Sequence, residues 1–232
     1  NEFLARVCEA AIKAGATVVN LPDTTGYLLP EQMFDRITYL FEHVPNIDKA
    51  IISMHNHNDL GLATANTIAG MKAGARQVEV TINGIGERAG NTSLEEIAMI
   101  CNVHKELGFT TGINPTMLYP FSNFVSNLMG MPVQANKAIV GANAFAHSSG
   151  IHQDGFLKHA QNYEIMKPED VGVPSSAIIL TSRSGRAALR HRLNLLGFEF
   201  PKPELDKIYT RFILMADERK MIEDEDLKEL VG

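Results

Sequence analysis

The chain has 232 residues, 45% of them hydrophobic and 21% charged, which suits one large globular domain or a core with an appendage. Its formal net charge of −6 gives no basic footprint and argues against a nucleic-acid partner. No apolar run reaches membrane-spanning length and no signal-peptide pattern opens the chain; Cys8 and Cys101 are too few for a disulfide framework, so a cytoplasmic protein with reduced thiols is expected.

From Glu2 to Ala14 the apolar residues Phe3, Leu4, Val7, Cys8, Ala11 and Ile12 recur at three and four, predicting an amphipathic helix that Gly15 ends. Thr17 to Leu21 reads as a buried strand closed by Pro22, with Asp23-Thr24-Thr25-Gly26-Tyr27 as the loop after it. Pro30 opens a second helix, carried by Met33, Phe34, Ile37, Leu40 and Phe41. Ala50 to Met54 is a second apolar strand, followed by the polar elbow His55-Asn56-His57-Asn58-Asp59 and a small-residue helix from Leu60 to Ala73. Arg76 to Ile82 alternates around Val78, Val80 and Ile82 as a third strand, and a glycine loop runs from Asn83 to Asn91. Ser93 is placed to cap the next helix, with Glu95 and Glu96 in its first turn, and that helix reaches about Leu107 before Gly108 stops it.

Strands that recur roughly every 30 residues, each followed by a loop and a helix, imply right-handed βαβ units on a parallel sheet. The sheet is either an open doubly wound one or part of a (β/α)₈ barrel, and in both the ligand sits at the carboxyl ends of the strands. The three polar loops all fall there. Side chains two apart on a strand share a side, so His55 and His57 can aim both imidazoles at one point, with oxygen donors Asn56, Asn58 and Asp59 around them. Mixed imidazole and oxygen ligation suits Mg, Mn, Fe or Zn, whereas two cysteines exclude a thiolate zinc cage. The run Gly84-Ile85-Gly86-Glu87-Arg88-Ala89-Gly90 is superficially like a dinucleotide loop, but no acidic strand end follows at the right distance in a further βαβ unit. In a barrel such a loop approaches the ligand closely, and Glu87, Arg88 and Asn91 would face the metal.

After Leu107 the period breaks. Gly112 to Pro120 is a linker, Phe121 to Met129 a short apolar helix, and Ala144 to Asp154 a second polar cluster that contains His147 and His152. Ser184 to Leu196 and Pro203 to Ala216 read as two helices, and Glu223 to Asp226 as a solvated helix start. Arg183, Arg186, Arg190, His191 and Arg192 form a solvated basic face rather than an anion site.

Four motifs carry a resemblance: Leu21-Pro22-Asp23-Thr24-Thr25-Gly26-Tyr27, His55-Asn56-His57-Asn58-Asp59-Leu60-Gly61-Leu62-Ala63, Asn83 to Asn91, and Ser149-Gly150-Ile151-His152-Gln153-Asp154-Gly155. With Tyr163-Glu164-Ile165-Met166, they make the chain resemble the 2-isopropylmalate synthases, within the metal-dependent acyl-CoA condensing enzymes and lyases built on a (β/α)₈ barrel. The resemblance implies an α/β fold: the last three βα units of a TIM barrel over 1–112, linker helices and a first small subdomain over 113–172, and a second small helical subdomain over 173–232. It implies His55, His57 and Asn91 as ligands of Mn or Mg, with Zn an alternative, and Thr24 as the contact to the carboxylate of a 2-oxo acid. His152, supported by Glu87 and near Tyr163, is the implied catalytic group. The implied enzyme is an acyltransferase that condenses acetyl-CoA with 3-methyl-2-oxobutanoate in leucine biosynthesis and works as a homodimer. Homocitrate or citramalate synthase and a metal-dependent acyl-CoA lyase are the alternatives. The chain opens on Asn1, and against the family it starts after the fifth barrel strand and stops before a leucine-binding regulatory domain, so the isolated chain is expected to be an incomplete enzyme.

Overall fold

A computed structural model describes residues 1–147, 165–174, 177–178, 180–182, 184–219 and 222–232. It divides into two compact units, Asn1–Val133 and Gln134–Gly232. The first unit begins with helix α1 (Glu2–Lys13) and strand β1 (Val18–Asp23), followed by α2 (Pro30–His43) and β2 (Ile51–Asn56). Then come α3 (Ala63–Ala73), β3 (Gln77–Glu79), α4 (Leu94–Val103) and α5 (Leu118–Met129). The expected strands and helices of the first 107 residues are all present, with shifted ends: the first strand runs on through Pro22 and Asp23, and α3 starts at Ala63. The second strand runs on through His55 and Asn56, and the third is trimmed to three residues. The last helix of this stretch ends at Val103, with a 3₁₀ turn over Lys105–Leu107.

The three strands pair in parallel in the order β1-β2-β3. Register places Pro22, His55 and Glu79 in one row and Asn20, Ser53 and Gln77 in the row beneath. Because side chains alternate, Val19, Leu21, Ile52 and Met54 face the helices and join a core with Ala5, Cys8 and Ile12 of α1 and Met33, Ile37 and Leu40 of α2. His55 and Glu79 therefore point to the opposite face. Helix α3 lies close over β2 because position 70 has no side chain: a Cβ on Gly70 would sit 1.8 Å from Met54 Sδ. The buried cysteines Cys8 and Cys101 are both free, and burial pushes both thiols up.

The second unit pairs β4 (Ala146–His147) with β5 (Ala177–Ile178) in parallel and packs helices α6 (Arg186–Leu195), α7 (Lys202–Glu218) and α8 (Asp224–Val231). Along α7 the spacing of Leu205, Ile208, Phe212 and Ala216 at three and four forms the seam, filled from α6 by Ala188, Leu189 and Leu193. Glu223 is the N-cap of α8, so the acidic run is a helix start as read. The basic face is not wholly solvated, since Arg186 donates to Asp206 and Arg192 makes a two-pronged pair with Asp224. Among the described residues no helix is long and apolar enough to cross a membrane.

Candidate functional site

The site starts from the row Pro22, His55, Glu79. His55 sits on β2 directly beside Glu79 of β3, and its Nδ1 lies 2.9 Å from Glu79 Oε2. A carboxylate only accepts, so Nδ1–H is the donor in this pair. One step past the strand, His57 brings its own Nε2 to 3.2 Å from His55 Nε2. Two nitrogens on adjacent positions of a divalent cation, at about 2.1 Å from it, stand about 3.0 to 3.4 Å apart.

The third donor comes from the glycine loop. His57 pairs with Asn91 through an isolated antiparallel bridge, and Asn58 N–H donates to Gly90 O at 2.8 Å. Asn91 Oδ1 is buried and has no hydrogen-bond partner among the described residues. Two imidazoles, and an unpartnered amide oxygen on the residue that pairs with His57, are donor types that a divalent cation accepts. No three His, Cys, Asp or Glu side chains gather as a metal group among the described residues, so the site here rests on two histidines and one amide.

The loop is built to present Asn91. Thr81 N–H donates to Thr92 O at 3.0 Å, Leu94 N–H to Thr81 O at 2.9 Å and Asn91 N–H to Gly84 O at 2.9 Å. Gly90 has φ 87°, and a Cβ there would lie 2.0 Å from Gly84 O; a Cβ on Gly86 would lie 2.6 Å from Asn91 Oδ1. The turn at Asn83 has φ 61°, and the buried Glu95 carboxylate accepts its N–H at 2.8 Å and the Ser93 hydroxyl. Ser93 occupies the N-cap of α4, but its hydroxyl goes to Glu95 instead of a backbone N–H, which corrects the expected cap. Asn83 Nδ2 donates to Ser122 O at 3.0 Å, fixing α5 against the start of the loop.

Three loops meet at Arg88. Its Nε donates to Asp59 Oδ1 at 2.8 Å, and its Nη2 donates to Asp59 Oδ2 at 3.0 Å and to Thr24 O at 2.6 Å. The hydrogen bond from Arg88 holds the Asp59 carboxyl below its usual range, and the same bond raises the guanidinium. The loop after β1 closes on the Asp23 carboxylate, which accepts from Tyr27 N–H at 3.2 Å and Leu28 N–H at 3.1 Å.

A family model described as HMGL-like matches residues 1–125, more than half the chain. The chain belongs to the HMGL-like family. A second model, described as homocitrate synthase post-HMGL domain-like, matches residues 139–220. A 2-isopropylmalate synthase of Parabacteroides distasonis is 63% identical over 232 residues, covering 100% of this chain and 46% of the relative. Those of Sodalis glossinidius and Vibrio vulnificus are 55% and 56% identical, covering 98% of this chain and 43% and 44% of their own lengths. The chain thus spans about half the length of the curated relatives it matches. The crystal structure of a Bacillus subtilis HMG-CoA lyase superposes with a TM-score of 0.50 at 23% identity, covering 58% of this chain and 45% of that one, a likeness of fold. This HMGL-like chain is accordingly α/β, with part of a (β/α)₈ barrel and a mostly helical part.

Within this HMGL-like chain His55 and His57 converge as their spacing of two suggested, and Asn91 pairs with His57 through a backbone bridge. Of the surrounding oxygen donors, Asn58 and Asp59 have other partners, whereas Asn56 Oδ1 is buried with no hydrogen-bond partner among the described residues. Asn56 Nδ2 donates to Thr67 Oγ1 at 2.8 Å, Asn58 Oδ1 accepts from Ala63 N–H at 3.1 Å, and Asp59 holds Arg88. Glu87 is 85% exposed and 3.6 Å from Arg88, and Arg88 itself turns to Asp59. Thr24 is exposed on the loop after β1. His152 and Tyr163 lie outside the described residues, as does the pairing of Glu87 with His152. The site residue that sequence reading missed is Glu79. Its signal was there: with Val78 and Val80 facing the helices, residue 79 must share the histidine face.

Proposed function

We propose that this chain forms part of the active site of a 2-isopropylmalate synthase, an acyltransferase that condenses acetyl-CoA with 3-methyl-2-oxobutanoate to give 2-isopropylmalate and CoA in leucine biosynthesis. One observation carries the reading. The Nε2 atoms of His55 and His57 converge at 3.2 Å beside Asn91, in a chain similar from end to end to synthases of that name. His55, His57 and Asn91 hold the divalent cation, Mn or Mg, and Glu79 keeps the His55 lone pair free for it by accepting a hydrogen bond from Nδ1–H. When bound, the cation polarises the keto group of the oxo acid and offsets the negative charge that gathers on its oxygen.

Thr24 contacts the carboxylate of the oxo acid from the loop after β1, and so fixes the keto carbon relative to the two histidines. A base takes one proton from the acetyl-CoA methyl group, and the carbon left behind bonds to the keto carbon. Water then cleaves the thioester, releasing CoA and a second carboxylate. His152, with Glu87 and Tyr163, is the group that handles the proton. The reading includes a homodimer in the cytoplasm. The exposed apolar stripe of Met117, Phe121, Phe124, Leu128 and Met131 along α5 supports the first, and two free thiols support the second.

The test is CoA release by the protein that carries this chain, with Mn²⁺, acetyl-CoA and each of three oxo acids: 3-methyl-2-oxobutanoate, 2-oxoglutarate and pyruvate. Turnover that prefers the branched acid and disappears in His57→Ala supports the reading. A preference for 2-oxoglutarate or pyruvate would assign a homocitrate or citramalate synthase instead, and full activity in His57→Ala would remove the metal assignment.

A further inference from the structure

The three polar loops after β1, β2 and β3 each carry one residue of the proposed site: Thr24, His57 and Asn91. Something has to fix them relative to one another, because exposed loops at strand ends drift unless tied. Two hydrogen bonds form the His57–Asn91 bridge and join the loops of β2 and β3: Asn58 N–H donates to Gly90 O at 2.8 Å, and Thr92 N–H donates to Asn56 O at 3.1 Å. The loop after β1 reaches the loop after β2 through His57 N–H, which donates to Asp23 O at 3.3 Å, and through Gly26, where a Cβ would lie 2.8 Å from Asp59 N. Among the described residues, one side chain spans all three loops. Arg88, from the third, forks onto Asp59 of the second and reaches Thr24 O of the first.

We propose that Arg88 is a positioning residue that, through the Asp59 carboxylate and the Thr24 carbonyl, sets the Thr24 side chain for the carboxylate of the 2-oxo acid; the proposal rests on the function proposed above. Three features carry it. The contact to Thr24 O is short at 2.6 Å and lands on the backbone of the residue itself, so moving the guanidinium moves Thr24. Arg88 also holds φ 55°, a left-handed conformation uncommon for any residue but glycine, which its three side-chain hydrogen bonds keep in place. Finally, the bidentate pair with Asp59 takes up the charge of the guanidinium. That separates this role from the rival one, in which a free Arg88 would bind the substrate carboxylate itself. Lysine cannot replace the fork, because an ammonium is a single point donor where two parallel N–H bonds and a third contact are needed.

The experiment uses the protein that carries this chain, with Arg88→Lys, Arg88→Ala, Asp59→Asn, Thr24→Ala and the double variant Arg88→Ala/Thr24→Ala. Two quantities are read: steady-state KM for the oxo acid and for acetyl-CoA, and the calorimetric Kd of the oxo acid with Mn²⁺ and no acetyl-CoA. The expected result is a rise of about tenfold to a hundredfold in KM and Kd for the oxo acid in Arg88→Lys, Arg88→Ala and Asp59→Asn. KM for acetyl-CoA stays within about twofold, and Arg88→Ala adds little in the Thr24→Ala background, since both act through one contact. Additive losses in the double variant, or Asp59→Asn that binds the oxo acid as well as or better than wild type, would assign Arg88 to direct substrate binding and overturn the proposal. So would oxo acid affinity unchanged in Arg88→Ala. Thermal melting of each variant identifies any loss that is mere unfolding, and Arg88→Lys then decides the case. A wild type that neither binds nor turns over 3-methyl-2-oxobutanoate overturns the function reading instead, and the Arg88 role with it.

Discussion

Glu79→Ala is the substitution that most directly probes how the histidine pair is held. In the structure Glu79 has one task at the site, which is to accept the His55 Nδ1–H at 2.9 Å. Removing it frees the ring to rotate or to put its proton on Nε2, the atom that faces His57. Carboxylates behind metal-binding histidines contribute about tenfold to a hundredfold in metal affinity. The Glu79 side chain is 46% exposed, and water can stand in for part of the lost bond, which places the effect near the lower end, about tenfold or about 1.4 kcal/mol. Glu79→Gln retains an acceptor and loses the charge, so it should fall between wild type and Glu79→Ala. Isothermal titration of Mn²⁺ measures all three, with far-UV circular dichroism to show that the sheet is intact. Equal Mn²⁺ affinity in wild type and Glu79→Ala would refute the idea that Glu79 orients His55.

Gly90→Ala places a Cβ against the carbonyl oxygen of Gly84, which cannot yield without moving the loop; Mn²⁺ affinity should drop by more than about tenfold at unchanged helix content. Phe212 is fully buried between α6, α7 and α8, and Phe212→Ala should cost about 3–5 kcal/mol in denaturant unfolding of the second unit; a loss below about 1 kcal/mol would contradict the packing described. Cys8 and Cys101 are buried with their thiols pushed up, so a thiol-reactive chromophore at mildly alkaline pH should label them slowly in the folded protein and promptly in denaturant. Rapid native labelling of both would mean that their helices open far more readily than their packing allows.

Apolar pattern located the α-helices and strands of the first unit, because most of its helices bury one stripe and its strands are short apolar or alternating runs, while the 3₁₀ turns and the first residues of α5 carried no such signal. The histidine pair was legible for the same reason, a spacing of two beside an apolar strand. What the sequence could not convey was partner choice among polar neighbours. Asn58 and Asp59 have the right chemistry for ligands, yet the start of α3 and Arg88 respectively compete for them, and those partners lie 5 and 29 residues away along the chain. Glu79 was hidden by the opposite problem. A lone charged residue in a three-residue strand looks like solvent decoration until register sets it beside His55. Ser93 shows how a local rule yields to a stronger acceptor: the hydroxyl that would cap a helix is drawn to a buried carboxylate two residues on.

The glycine loop has one further property that follows from how its two ends are joined. Thr81 meets Thr92 and Leu94 through paired backbone bonds, so residues 82–91 leave the sheet and return to nearly the same point. A segment closed at its neck is an exchangeable cassette: its tip can be rewritten over evolutionary time without displacing the helix that follows, provided Gly84 and Gly90 still let Asn91 fold back. Variation in the loop is then confined to residues 85 and 87–89, because a Cβ on Gly86 would meet Asn91 Oδ1, while the sheet and α4 beneath them stay fixed.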